Sequence, residues 1–238
     1  MSVEALTAFF DLILPATGWK CLFTLPDKRH FWFRDHAHMA VMALRLDAEG
    51  KTVYHGNASF KSKRRKAENV EAKKAFHLDI DAGSGKPYAD PRSALVAFEN
   101  WRRATALPAS YVVASGGGIH AYWPLRDAVG AAQWLSAAHH LRVLTQNLST
   151  DTTVTCDAAR ILRPPGTHNR KNGTPVPVKA GLLVGPYGVE DLKPLFEGVE
   201  NGVGLRVLLQ HQPLIGDMRG VLAPPESKND GLTNIYAV

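Results

Sequence analysis

The sequence predicts an α+β protein built mainly of antiparallel sheets. Stretches with helical spacing of apolar residues alternate with short aromatic or alternating stretches that are typical of strands. Two strand pairs are joined by hairpin-like turns, one at Pro26-Asp27 and one at residues 115–118, and hairpins join antiparallel strands. Hydrophobic residues make up 45% of the 238 residues and charged residues 21%, which excludes a disordered chain, a collagen and a coiled coil.

The first half of the chain predicts two helices. Apolar residues recur with helical spacing over residues 3–14, and Pro15 and Gly18 end this helix. Asp35 can cap a second helix that runs to about residue 46 and is closed by Gly50. The strands expected in this half are 19–25, 30–33, 52–58 and 75–81.

The second half begins with Asp90-Pro91, a cap followed by proline at the first helical position, and this helix should run to about residue 105. A helix rich in alanine and leucine is expected from about residue 128 to 148. The remaining expectations are strands at 111–114 and 119–123, extended pieces near 153 and at 160–162, a strand at 175–183 and a short helix at 189–196.

Composition also predicts the domain organisation and the compartment. From about residue 199 glycine, proline and asparagine increase, so we interpret residues 1–198 as one catalytic domain and 199–238 as a tail or a linker to a missing module. No apolar run approaches the ~18–20 residues of a membrane helix, and we expect no membrane partner. Two cysteines make no disulfide framework, and the N-terminal stretch lacks the basic region of a signal peptide. We expect a cytoplasmic protein.

The chain carries a modest net positive charge, and one short segment is strongly basic. The net charge is +6, and residues 61–66 carry five of the 28 lysines and arginines. This run is either a solvated face or a strip that contacts nucleic-acid phosphates.

The stretch Leu78-Asp79-Ile80-Asp81 carries the strongest chemical signal. Residues two apart on a strand project from one face, so both carboxylates point the same way. Neighbouring carboxylates repel each other and attract cations, and Mg²⁺ and Mn²⁺ prefer oxygen ligands. Taken alone, the pair is equally compatible with two solvated acids at a strand end.

Two further motifs contain groups suited to phosphate. Three glycines lie between Ser115 and His120, and their amides can form a nest for an anion, although a simple hairpin turn has the same pattern. The third motif runs from Asp151 through a Pro-Pro-Gly turn to Lys171 and contains the planar donors Arg160 and Arg163. Arg160 could contact phosphate or pair with an acid.

In order and spacing, the motifs LDID, SGGGIH and DTTVTCDAARILRPPGTHNRK resemble the archaeo-eukaryotic primase superfamily, most of all the primase-polymerases (PrimPols) of phages and plasmids. The resemblance runs from about residue 53 to 184. It implies an α/β lobe and a lobe like an RNA-recognition motif, with mostly antiparallel sheets and the active site in the cleft between them. It also implies a template-directed nucleotidyltransferase, a DNA primase and/or DNA polymerase, that acts in phage or plasmid DNA replication in the bacterial host cytoplasm.

The resemblance assigns roles to particular residues. Three carboxylates would hold two divalent cations, Mg²⁺ or Mn²⁺; we assign them to Asp79, Asp81 and Asp151, with Asp157 as the rival for the third place. Lys86 is a weaker phosphate candidate. Nucleoside triphosphate contacts are expected from Ser115, His120, Arg163, Asn169 and Lys171, with His168 less certain.

The expected macromolecular partner is a single-stranded DNA template, and a replicative helicase is a further candidate. Contacts to the template backbone are expected from Lys63, Arg64 and Arg65. Trp101 or Trp123 would either stack on bases or pack in the core.

Two other functions are also considered. His36-Ala37-His38 imitates the histidine pair of rolling-circle (HUH) replication endonucleases, with Tyr54 or Tyr122 as the nucleophile, but this hypothesis leaves the three motifs unexplained. A non-catalytic nucleic-acid-binding module would not need all the acids. Many primase relatives bind zinc through cysteines; here the only such set would be Cys21, His30, His36 and His38.

Overall fold

The structure confirms an α+β fold in which two antiparallel sheets pack with helices. The computed structural model describes residues 1–195, without the side chain of Thr152, so the expected boundary at residue 198 and the tail at 199–238 lie outside the described residues. No helix in residues 1–195 is long and apolar enough to cross a membrane. The α-helices of this part are α1 Val3–Ile13, α2 His36–Ala48, α3 Pro91–Ala104, α4 Ala131–Leu144 and α5 Thr152–Thr155.

The strands form two main sheets and one small ladder. In chain order they are β1 Lys20–Leu25, β2 His30–Phe33, β3 Thr52–Gly56, β4 Ser59–Phe60, β5 Val70–Asp81, β6 Tyr111–Ala114, β7 Gly118–Gly130, β8 Ile161–Leu162, β9 His168–Asn169, β10 Val176–Pro177 and β11 Lys179–Ala180. The four-stranded sheet has the order β2-β1-β3-β8, the five-stranded sheet has the order β11-β6-β7-β5-β4, and β9 pairs with β10. Short 3₁₀ helices occupy Ala67–Asn69, Thr145–Asn147 and Val189–Leu195.

Two hydrophobic cores cover the two faces of the five-stranded sheet. One core contains α3, α4 and the β5 residues Leu78 and Ile80, both fully buried as predicted for this strand. The other contains α1, α2 and residues of both sheets, and its largest buried side chains include Phe9, Phe10 and Tyr122. Because Leu78 and Ile80 face the first core, Asp79 and Asp81 project from the opposite face of β5.

The predicted helix caps are confirmed. The side chain of Asp35 accepts a hydrogen bond from the backbone N–H of His38 at the start of α2. At the start of α3, Asp90 and Ser93 form a reciprocal capping box, and Pro91 occupies the first helical position. These local signals therefore determined where the two helices begin.

Three expected elements differ from the structure. The expected helix at 128–148 begins later, because β7 continues to Gly130 and pairs with Ala72 at the start of β5. The extended piece expected near residue 153 is the short helix α5, which the Asp151 side chain caps through the backbone N–H of Thr153. The strand expected at 175–183 is divided into β10 and β11, since prolines in this stretch have no N–H for a ladder.

Candidate active site

The pairing of β5 with β7 brings the first two motifs together. In this antiparallel ladder Asp79 lies directly opposite His120, and Asp81 lies opposite Gly118. Directly opposite residues share one face of a sheet, and Nε2 of His120 is 3.7 Å from Oδ1 of Asp79. Asp79 is 17% exposed and His120 is 2% exposed, so this pair lies largely away from water.

The third motif reaches the same place. The backbone N–H of Asp151 donates to the carbonyl oxygen of Asp79 at 3.2 Å. Nη2 of Arg160 lies 3.6 Å from Oδ2 of Asp79 and 3.8 Å from Oδ2 of Asp151, so one guanidinium joins two of the predicted acids. This is the pairing role considered for Arg160 as an alternative to phosphate contact.

The remaining acid, Asp81, has a lysine partner. Nζ of Lys86 lies 2.6 Å from Oδ2 of Asp81. The hydrogen bond to Asp81, together with the charge of that carboxylate, raises the pKa of Lys86. Lys86 therefore lies at the acid-bearing end of β5, in contact with an acid of the site.

The electrostatics of the acids favour a bound cation. Burial, followed by the charges of Asp81 and Asp151, raises the pKa of Asp79 to about 6, although Arg160 and Arg163 oppose the shift. Oxygen donors that repel one another fit a hard divalent ion. Among residues 1–195 no three His, Cys, Asp or Glu side chains form a ready metal-binding group, and here Arg160 and Lys86 contact the acids instead.

The pKa of Asp151 moves in the other direction from that of Asp79. Burial works to raise it, but hydrogen bonds from the hydroxyl and the backbone N–H of Thr153 and the charge of Arg160 outweigh burial and lower the pKa. Asp151 is therefore the more readily ionised of the two acids that share Arg160.

The rival acid, Asp157, has a local role. Its carboxylate accepts a hydrogen bond from the backbone N–H of Ala159 at 2.9 Å, and its carbonyl oxygen accepts one from Arg160 at 3.1 Å. It thus shapes the turn that presents Arg160. The structure places Asp151, and not Asp157, at hydrogen-bonding distance from the Asp79 backbone.

The glycine turn of the second motif packs tightly against β5. The backbone N–H of Ser115 donates to the carbonyl oxygen of Gly118 at 2.9 Å, and the Ser115 side chain is buried. Gly118 has a φ of +151°, and a Cβ atom there would lie 2.1 Å from the carbonyl oxygen of Ile80. Only glycine fits this position, which brings Ser115 to the acid-bearing end of β5.

His120 is neutral in this setting. Burial, with the positive charges of Arg163 and Arg160 and the neighbouring His55, lowers its pKa well below the ordinary value. Its Nδ1 atom is buried and has no hydrogen-bond partner among the described residues. His120 therefore retains hydrogen-bonding capacity that the protein part of the site does not use.

Two of the basic-motif residues lie close to the site. Nη2 of Arg163 donates to the hydroxyl of Tyr54 at 3.0 Å, and the charge of Arg163 affects the pKa values of both Asp79 and His120. Asn169 is buried beside the glycine turn, since a Cβ atom on Gly116 would lie 2.8 Å from the Cβ atom of Asn169.

The other polar residues of the motif lie further out. The Lys171 side chain is exposed and makes no ion pair in the described structure; its backbone N–H donates to the side chain of Asn169. Nδ1 of His168 lies 2.7 Å from Asp47 at the end of α2, and Arg170 binds the same carboxylate. His168 and Arg170 therefore anchor the motif to α2.

Of the three residues predicted to contact DNA, two lie near aromatic rings and one lies near a carboxylate. Nζ of Lys63 lies 4.6 Å from the ring centroid of Trp19, and Cζ of Arg65 lies 5.7 Å from that of Phe23. Arg64 instead lies 3.5 Å from Glu68, four residues further along the chain. The aromatic residues Trp19 and Phe23 were visible in the sequence, but sequence reasoning did not connect them with these cations.

Trp101 and Trp123, the two tryptophans considered for base stacking, lie in the core instead. Trp123 is fully buried and Trp101 is 9% exposed. Their indole N–H groups donate to the carbonyl oxygens of Pro108 and Leu144. Both rings belong to the first core, as the core-packing interpretation of these two residues predicted.

The nickase and zinc arrangements are likewise not assembled. Nδ1 of His36 lies 2.6 Å from Asp11, whereas His38 lies 2.8 Å from Asp35, and residues two apart on a helix do not face each other. Tyr122, one proposed nucleophile, is fully buried. Cys21 is buried in the first core, and within residues 1–195 it forms no metal-binding group with histidines.

Comparisons with known proteins identify the fold. No protein-family model matches the chain, and no curated protein matches it in sequence. The AEP domain of the primase-polymerase of cyanophage S-2L is 17% identical with a TM-score of 0.51, over 76% of this chain and 89% of that chain. The primase RepB' is 16% identical with a TM-score of 0.52, over 87% of this chain and 62% of that chain.

The catalytic domain of RepB' in complex with initiator DNA is 15% identical with a TM-score of 0.54, over 89% of this chain and 98% of that chain. Sequence identities this low support a shared fold and do not show a shared activity. The three motifs meet on the face of β5 that carries Asp79, as the resemblance predicts. The chain therefore has an archaeo-eukaryotic primase-type fold.

Proposed function

We propose that the protein is a template-directed nucleotidyltransferase, a DNA primase and/or DNA polymerase. The observation that carries the proposal is the meeting of three distant motifs: Asp79 faces His120 across two strands, and Arg160 joins Asp79 to Asp151. A primase-type fold alone would not imply this activity, because one fold serves many functions. The proposal of nucleotidyl transfer therefore depends on the residues of the site.

Asp79, Asp81 and Asp151 would hold two divalent cations, Mg²⁺ or Mn²⁺. The oxygen donors and the raised pKa of Asp79 support this assignment. When bound, such ions activate the primer 3′-hydroxyl and stabilise the leaving pyrophosphate.

The chain's own groups then bind the triphosphate. Neutral His120 offers an N–H that donates to a phosphate oxygen, and the backbone amides of the glycine turn after Ser115 form an anion nest. Arg163 places a positive charge beside the acids, where it offsets the charge of the polyphosphate. Asn169 holds the glycine turn, and exposed Lys171 reaches the outer phosphates.

The proposed partners are a single-stranded DNA template, nucleoside triphosphates and a replicative helicase in phage or plasmid replication in the bacterial host cytoplasm. One structural neighbour is a primase catalytic domain in complex with initiator DNA, which supports a DNA partner.

The test is synthesis on single-stranded template, with and without a primer, with Mg²⁺ or Mn²⁺ and with ribo- or deoxynucleotides supplied separately. The Asp79→Asn/Asp81→Asn double variant should lose synthesis and still bind DNA, whereas Asp127→Asn, an exposed acid of β7, should act like the parent. Extension by the double variant at the parent's rate would disprove the metal assignment. A covalent protein–DNA adduct formed without triphosphate would indicate a nickase instead.

A further inference from the structure

One face of the four-stranded sheet carries a row of aromatic side chains that none of the three motifs includes. Phe23 on β1 pairs with His30 on β2 and with Tyr54 on β3, so these three side chains share a face. Their ring centroids are 4.9 Å apart for Phe23 and His30, and 6.3 Å apart for Phe23 and Tyr54. Trp32 and Trp19 continue the same face, and we call the five residues Trp19, Phe23, His30, Trp32 and Tyr54 the aromatic face.

The aromatic face is accessible to solvent. His30 is exposed, and the other four rings are only partly buried, unlike Trp123 and Tyr122 in the cores. The rings of His30 and Trp32 lie nearly parallel, with centroids 6.2 Å apart and an angle of 16°. Parallel, partly exposed rings are surfaces on which further flat groups can stack.

Four cations lie against these rings. Arg34 and Lys63 lie 4.5 Å and 4.6 Å from the ring centroid of Trp19. Arg65 lies over Phe23, and Arg163 lies 4.9 Å from the ring centroid of Tyr54. None of the four forms an ion pair with a carboxylate within residues 1–195.

The aromatic face leads to the acids of the site. Arg163, which follows β8 beside Tyr54, is close enough to Asp79 for its charge to influence the pKa of that carboxyl. Arg65 also donates to the carbonyl oxygen of Ala159, next to Arg160. The row of rings and cations therefore runs from the edge strand β2 across three further strands to the acidic site.

We propose that the aromatic face binds the single-stranded DNA template and guides it to the acidic site. The proposal rests on the proposed function and names the surface that its template would use. Bases stack on the rings, and Arg34, Lys63 and Arg65 contact phosphates. The rings on β2, β1 and β3 span two strand spacings of ~4.8 Å, a width of about 10 Å with room for about three stacked bases at ~3.4 Å each.

Charge complementarity favours a nucleic acid over a protein as the occupant. Cations without carboxylate partners, interleaved with exposed rings, match a chain that alternates phosphate and base. Stacking requires unpaired bases, so the surface should prefer a single strand to a duplex.

The test measures binding of a fluorescein-labelled 20-nucleotide oligo(dT) by anisotropy, with a duplex of equal length beside it. Arg34→Gln/Lys63→Gln should weaken binding about tenfold and reduce the salt slope of log K by about 1.4, because single strands lose ~0.7 per phosphate contact. The matched control Arg142→Gln/Lys193→Gln removes two exposed cations elsewhere and should bind like the parent. Equal effects of the two double variants would overturn the proposal.

The stacking component needs its own variant and readout. Tyr54→Leu should weaken oligo(dT) binding about tenfold, in the range of one lost stacked base. Oligo(dT) should also quench the fluorescence of Trp19 and Trp32 in the parent, a signal that Trp19→Phe/Trp32→Phe removes while Trp123, Trp101 and Trp134 remain. An unquenched parent, or equal affinity for duplex and single strand, would contradict stacking.

These outcomes separate the proposal from the proposed function. If the protein synthesises DNA but Arg34→Gln/Lys63→Gln binds oligo(dT) as well as the control double variant does, the proposed template surface is wrong. The proposed polymerase activity is then unaffected. If oligo(dT) binding depends on the aromatic face but the protein synthesises no DNA, the DNA-binding surface is supported and the polymerase assignment is wrong. A parent that does not bind oligo(dT) would overturn the surface and leave a protein partner as the occupant.

Discussion

The ammonium group of Lys73 on β5 lies 3.2 Å from the carbonyl oxygen of Ala158, and the Lys73 side chain is fully buried. Burial lowers the pKa of Lys73 to about 7, although the charge of Asp157 opposes this shift. Nζ also lies 4.2 Å from the ring centroid of Trp134. The strand that carries Asp79 thus also holds the turn before Arg160, and Lys73 acts as a positioning residue.

We expect Lys73→Met to lower kcat of primer extension by about 10- to 100-fold with little change in KM for DNA, because a displacement of ~1 Å at a site can cost this much. The Ala158 carbonyl would lose its donor, and the turn would no longer be fixed. Lys73→Arg should recover part of the rate. Steady-state kinetics of the three proteins measure this split.

The control for this prediction is Lys74→Met, since Lys74 donates instead to the carbonyl oxygen of Asp11. It should leave kcat close to that of the parent. Parent-like kcat in a folded Lys73→Met protein would show that the turn is held without this lysine.

A second prediction concerns the third acid. Asp151 shares Arg160 with Asp79, whereas Asp157 accepts a hydrogen bond from its own turn. Asp151→Asn should reduce synthesis by about 10²- to 10³-fold, the range observed when one group that stabilises charge in the transition state is removed. Asp157→Asn should cost roughly tenfold or less, because it loosens only the turn. The reverse order of rates would move the third ligand to Asp157.

A third prediction follows from the raised pKa of Asp79, about 6 against an ordinary value of 3.8. Between these values the folded protein holds a proton that the unfolded chain has released, so stability falls as pH rises from about 4 to 6 and then stays lower. The Asp79→Asn variant has no carboxyl group at this position, so it does not lose stability in this way as the pH rises. In EDTA the variant should be more stable than the parent near neutral pH, by on the order of 1–3 kcal/mol at 1.36 kcal/mol per pKa unit.

Urea unfolding at several pH values measures this difference. The advantage of Asp79→Asn should shrink towards zero as the pH approaches about 4, because both side chains are then uncharged. Asp127→Asn, at an exposed position, is the matched control and should show no such trend. An advantage that does not change between acidic and neutral pH would contradict the raised pKa.

Local signals predicted the parts of the site that depend on one element. The alternation around Asp79 placed both acids on one face of a strand, and Asp35 and Asp90 marked the helix starts. The three glycines before His120 predicted the hairpin that joins β6 to β7. Each of these features is determined by residues that are neighbours in the sequence.

The features that sequence reasoning missed depend on contacts between distant residues. Lys73 follows the basic run and precedes the strand expected at 75–81, so nothing nearby in the sequence predicts its burial; its contacts with Trp134 and the Ala158 carbonyl explain it. The extension of β7 to Gly130 follows from pairing with the start of β5, against the helical composition of that stretch. The acid partners of Arg160 likewise could not be predicted from the sequence, because the fold brings these distant residues together.

The fourth prediction concerns the close approach of the glycine turn to β5. At Gly118 a Cβ atom would lie 2.1 Å from the Ile80 carbonyl oxygen, and φ is +151°, so an alanine there must push the two strands apart. At Gly130, at the other end of β7, a Cβ atom meets nothing within 4 Å. Gly118→Ala should lower the free energy of unfolding by at least ~1–3 kcal/mol, while Gly130→Ala should lower it by less than ~1 kcal/mol, because Gly130 is the N-cap residue of α4, where glycine is moderately preferred to alanine. Thermal melting of both variants compares these costs, and primer extension should fall only for Gly118→Ala, because the shift would displace Ser115 from the acids. Equal melting temperatures would mean that the turn can move away from β5 without cost, and the tight packing would then have no part in forming the site.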